Sequence, residues 1–86
     1  MEDNEKILKA LANRRRLVIL KLLKSKKPRT VGELSKYLDL SFKSTSKHLA
    51  VLYGAGVVGK EQKNLSMFYF VANSLPKLAK RIINFL

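Results

Sequence analysis

The chain has 86 residues and sets 18 lysines and arginines against six acids, a formal net charge of +12. That length makes one domain, since domains typically hold ~100–150 residues, and 47% apolar residues are too many for a disordered basic tail. Without cysteine these residues form no disulfide, thiolate metal site or cysteine nucleophile, and the charge asks for a polyanion, nucleic acid before an anionic membrane.

Three of the six acids lie in the first five residues, the opposite of a signal peptide's basic start. The longest run without a charged residue, 64–76, has 13 residues, against ~20 needed to span a bilayer, so a cytoplasmic protein with no membrane partner is expected. No repeat or linker divides the chain, and residues 1–86 are expected to be one domain. Ile7, Leu8 and Leu11 mark one face of a first helix over residues 4–12. Asn13 is placed to cap a second helix, 14–24, built on Leu17, Ile19, Leu20 and Leu23 and apolar nearly all round, as expected at the centre of a domain. Residues 25–29 read as a loop. Thr30 and Glu33 form the pattern of a capping box, in which each side chain bonds the other's backbone N–H. A short helix then runs to Leu38, and Asp39-Leu40 turns the chain.

Ser41 caps the next helix, 42–55, whose buried stripe is Thr45, Leu49 and Leu52, and Gly56 is its left-handed stop. The pattern then changes period. Residues 57–62 and 65–72 are β-prone runs, with Lys63-Asn64 expected at the hairpin tip. Ser74 is expected to cap a last helix with Pro76 at its second position and Leu75, Leu78, Ala79, Ile82, Ile83 and Leu86 on one stripe. The fold class is mainly α with a small β-hairpin: four helices, two strands and a fifth helix.

Two short helices joined by a tight turn, the second followed at once by a hairpin, describe a winged helix-turn-helix. A helix of about 14 residues, ~20 Å long at 1.5 Å per residue, fits the major groove. Its outer face near the N-terminus carries Phe42, Lys43, Ser44, Ser46 and Lys47, and Ser41 precedes them. Short donors and cations at that end suit base edges, and the free N–H groups of the first turn suit phosphate. Lys60, Lys63 and Asn64 are expected on the wing. Phe42 could meet a thymine methyl or pack on its own domain. His48, the one histidine, reads as a half-buried structural residue or as a phosphate or base contact. Arg14, Arg15 and Arg16 read as a solvated helix start or as a phosphate clamp. Tyr53, Phe68, Tyr69 and Phe70 read as packing. One histidine, six acids and no cysteine leave few catalytic constellations, so no enzyme, metal or cofactor is expected.

The ordered set of short motifs resembles the ArsR/SmtB-type winged-helix repressors over nearly the whole chain, roughly residues 6–86. Residues 8–20, with Arg16, are similar to that family's opening helix pair. Glu33-Leu34-Ser35, Leu38-Asp39-Leu40-Ser41 and Ser46-Lys47-His48-Leu49 resemble its helix-turn-helix, and Ala55-Gly56-Val57-Val58 and Ser66-Met67-Phe68-Tyr69 its wing. The resemblance implies a transcriptional repressor that binds double-stranded DNA at an inverted-repeat operator as a homodimer, paired through the first and last helices. Ile7, Leu11, Leu78, Ile82, Phe85 and Leu86 are the expected seam, the other reading of the last-helix stripe being that it closes the thin core of the monomer. The family's metal sensors use cysteine pairs on the helix matching residues 31–38, or Asp and His on the last helix. Here residues 30–35 hold no Cys and residues 75–86 no Asp, Glu or His, so no metal is expected. Arg14 stands where the family often has proline, and Phe42 where it often has a polar base-reading residue. The other reading open at this point is a winged-helix module that binds nucleic acid with little sequence preference, or docks on another protein.

Overall fold

Four of the helices begin where a side chain closes the first turn. The computed structural model describes residues 3–25 and 27–86; Met1 and Glu2 of the acidic start, and Lys26 of the 25–29 loop, lie outside the described residues. Helix α1 (Asn4–Leu11) starts at Asp3, whose carboxylate accepts from Lys6 N at 3.0 Å. Helix α2 (Arg14–Leu23) starts at Asn13, whose side chain accepts from Arg16 N at 3.1 Å. Helix α3 (Val31–Leu38) has the full capping box: Glu33 N donates to Thr30 Oγ1 at 3.1 Å and Thr30 N to Glu33 Oε1 at 2.8 Å. That Thr30 N–H is the main reason the Glu33 carboxyl titrates below the ordinary carboxylate value. Helix α4 (Phe42–Gly54) starts at Ser41, which accepts from Ser44 N at 3.0 Å. Unbonded donors at a helix start are thereby satisfied by neighbouring side chains, each such cap contributing ~1 kcal/mol.

The stops are equally local. Asp39 takes the left-handed conformation at φ 54° and Leu40 N donates back to Ser35 O at 3.0 Å, so α3 ends in one turn and α4 begins at once. After α4, Gly56 sits at φ 77°, with Gly56 N bonded to Tyr53 O and Val57 N to Leu52 O. This is the Schellman arrangement, in which glycine takes the left-handed position without a Cβ penalty. Val57 is then drawn into the core beside Leu52.

Strands β2 (Val58–Lys63) and β3 (Ser66–Val71) pair antiparallel from Val58↔Val71 to Lys63↔Ser66. The tip is therefore Asn64-Leu65, one residue beyond the expected Lys63-Asn64, with Asn64 at φ 55°. A further strand lies where a loop and cap were expected. Residues Arg29–Thr30, called β1, pair with Tyr69 and Phe68 of β3, giving a three-stranded sheet in the order β1-β3-β2. Two residues are too few to show an alternating pattern, and their partner lies some forty positions on.

Helix α5 (Lys77–Phe85) also departs from expectation, because Ser74 does not cap it. Pro76 itself is the cap residue, at φ −56° and ψ 145°, and no side chain closes the first turn. Proline drives the residue before it away from helical backbone, so Leu75 cannot open a helix with Pro76 second. The core joins all these elements: Leu20 and Leu23 of α2, Leu34 of α3, Leu49 and Leu52 of α4, Val57, and Ala79 and Ile83 of α5. Ile7 and Leu11 belong to it as well, at 2% and 4% exposure. Within the single chain they pack α1 onto its own domain. Among the described residues no helix is long and apolar enough to cross a membrane.

Candidate nucleic-acid interface

At 3.6 residues per turn, the stripe Thr45, Leu49 and Leu52 turns one side of α4 into the core. Thr45 is fully buried, yet its hydroxyl is satisfied by donating to Ser41 O at 2.9 Å. Lys43 and Lys47 then lie opposite the stripe and are exposed. Ser44 lies beside them and is exposed; Phe42, three residues before Thr45, starts the helix on the stripe's side but is exposed at 63% because it stands beyond the end of the core. Ser46 is half-buried. Ser41 is exposed, but its hydroxyl oxygen already serves the cap. The first two turns of α4 thus expose two cations and one serine hydroxyl on the outer side and one phenyl ring at the helix start.

The wing residues are not gathered with them. Lys60 lies with its ammonium 4.4 Å from the centre of the Tyr53 ring, a cation–π contact near the far end of α4. Ten residues of helix separate Tyr53 from Lys43, about 15 Å along the axis. Lys63 is three strand positions beyond Lys60 and so faces the other side of the sheet. Asn64 shapes the tip, and the next residue, Leu65, is 99% exposed there. The Lys60–Tyr53 contact joins wing to helix, and nothing in the local sequence pattern pointed to it.

Arg16 was legible as a basic residue but not as what it does. Its guanidinium donates to the carbonyls of Ala10 and Lys9, the latter at 3.2 Å, closing the C-terminal end of α1. The same group reaches His48 Nδ1 on α4 at 3.4 Å. A guanidinium can only donate, so Nδ1 accepts and the imidazole proton sits on Nε2. Arg16 is therefore a structural clamp among α1, α2 and α4. Arg14 and Arg15 remain exposed at the start of α2.

Burial first, then the charges of Arg16 and Arg15, hold His48 below the ordinary histidine value. The folded domain therefore resists a proton that the unfolded chain accepts. Above the unfolded value, ~6.5, both states are neutral and this residue adds no pH dependence. As pH falls through that value stability declines, and the decline ends below the folded value. Thermal melts from pH 7.5 to 5 should show this fall, and His48→Gln, which keeps an acceptor for Arg16, should flatten it. An unchanged slope in the variant would remove His48 as its source.

No group of three His, Cys, Asp or Glu that could hold a metal ion occurs among the described residues. Helix, tight turn, exposed helix and hairpin, packed in this order, make the domain a winged helix-turn-helix. Residues 13–60 match the family model for "Bacterial regulatory protein, arsR family", and the chain belongs to that family. The transcriptional activator HlyU of Vibrio cholerae is 41% identical over 68 residues, which are 79% of this chain and 62% of HlyU. The chain thus spans less than two thirds of that relative's length. The reduced form of HlyU superposes with a TM-score of 0.82 at 37% identity, covering 96% of this chain and 83% of the solved one. The HTH-type transcriptional regulator YgaV of Escherichia coli is 31% identical over 72 residues, 84% of this chain and 73% of YgaV. The homodimeric winged helix-turn-helix DNA-binding domain Mb0332 of Mycobacterium bovis has a TM-score of 0.80 at 27% identity, covering 94% of this chain and 71% of that one.

Proposed function

We propose that this chain is a cytoplasmic, sequence-specific double-stranded DNA-binding regulator of transcription that acts as a homodimer on an inverted-repeat operator. The observation that carries this reading is the open first half of α4, with Phe42, Lys43, Ser44 and Lys47 exposed on a body of net charge +12. A recognition helix presents that end to base edges. The wing, through Lys63 and Asn64, holds the neighbouring backbone. Repression follows from occupying the promoter, and no metal or cofactor takes part.

The dimer reading rests on α1 and α5. With Ile7 and Leu11 inside the monomer, the apolar surface there consists of Leu8, Leu78, Ile82, Phe85 and Leu86, with Phe85 91% exposed. Two copies of so apolar a strip would cover each other, as the homodimeric domain from Mycobacterium bovis gives precedent for.

Selection of bound duplexes from a random pool tests the reading. The expected product is one motif repeated with two-fold symmetry, its half-sites about one helical turn apart. Equal recovery of all sequences at physiological salt would overturn it and favour a module without sequence preference. A promoter fusion then reads the sign of the output.

A further inference from the structure

Phe42 is the one large apolar side chain among the exposed residues of the first two turns of α4. It lies outside the core cluster, and most of its surface is open to solvent. Its backbone is fixed, since Ser41 directly before it caps the helix and Thr45 three residues on is anchored in the core. Lys43 and Ser44 follow it on the exposed surface, and Lys47 stands one turn beyond Lys43. Held by these cations against phosphate, the helix would press the ring towards base edges. A phenyl ring neither donates nor accepts a hydrogen bond there. Along the floor of the major groove the apolar group on offer is the 5-methyl of thymine.

We propose that Phe42 reads a thymine methyl in each half-site and thereby specifies that base. The proposal rests on the DNA-binding reading above and adds the chemistry of one operator position. Cytosine is rejected there because it lacks the methyl and presents an amino donor for which the ring has no acceptor. Adenine and guanine would set polar atoms against the ring.

Uracil scanning tests this with the full chain. In the selected operator each thymine is replaced singly by uracil, which keeps the base pair and removes only the methyl. Affinity is read by fluorescence anisotropy. At one thymine per half-site binding should weaken about fourfold, the scale of one buried methylene-sized group, and elsewhere the change should be small. Phe42→Ala should bind thymine and uracil operators equally, whereas Phe42→Leu, still apolar, should keep a reduced preference for thymine. The ring is exposed, so both variants should melt within a few degrees of the parent. Binding that is indifferent to uracil at every position, with selective binding of the operator intact, would overturn the methyl contact alone. Failure to bind any duplex selectively would overturn the regulatory reading and this one with it.

Discussion

Leu49→Ala should leave the domain at the edge of unfolding. Leu49 has no exposed surface and stands at the centre of the α4 stripe, packed among residues of the core cluster. Truncating such a leucine removes its transfer free energy and leaves a cavity that close-packed neighbours cannot fill, a loss of ~2–5 kcal/mol. At ~0.05–0.15 kcal/mol per residue a domain of this size has roughly 4–13 kcal/mol to lose. At the middle of both ranges the urea midpoint should fall by roughly 40%, with little change in slope. Lys47→Ala, on the opposite side of the same helix, should stay within ~0.5 kcal/mol of the parent. A Leu49 variant that melts with the parent would mean that α4 is not seated by this stripe.

The second large effect concerns binding rather than folding. Lys43→Ala combined with Lys47→Ala should weaken operator binding steeply at low salt and flatten its dependence on salt. Each phosphate contact contributes ~0.9 to the slope of log affinity against log salt. In a dimer the double substitution removes up to four such contacts, a slope change of about 3–4. Over the fourfold range from ~50 to ~200 mM salt, that difference amounts to about a hundredfold in affinity. Anisotropy titrations at several salt concentrations, on the selected operator and on a scrambled duplex, measure it. Equal losses on both duplexes assign the lysines to phosphate, and a larger loss on the operator assigns one of them to a base. Slopes identical to the parent's would place both lysines off the DNA.

Features written in neighbouring residues were legible in the sequence. Asn13, Ser41 and the Thr30–Glu33 pair announce helix starts because a cap is a contact across three positions. Gly56 announces a stop for the same reason. Features made by distant residues were not. Strand β1 exists through its pairing with β3, and Arg16 acts through carbonyls on the preceding helix and a ring on α4. An apolar stripe shows that a face is covered but not by what, so the sequence did not reveal that Ile7 and Leu11 are buried within the single chain. Within the candidate interface, the exposed residues of α4 followed from helical period. The sidedness of the wing did not, because it depends on which strand face meets Tyr53.

Because Arg16 touches both the end of α1 and His48 on α4, those two helices form one lever. In the proposed dimer α1 lies at the seam and α4 in the groove. A change in how two subunits meet would then be carried to the reading heads without a hinge inside either subunit. The separation of the two α4 helices, and with it the half-site spacing the protein tolerates, becomes a property of the seam. A molecule that altered operator choice would have its best leverage there, far from any base.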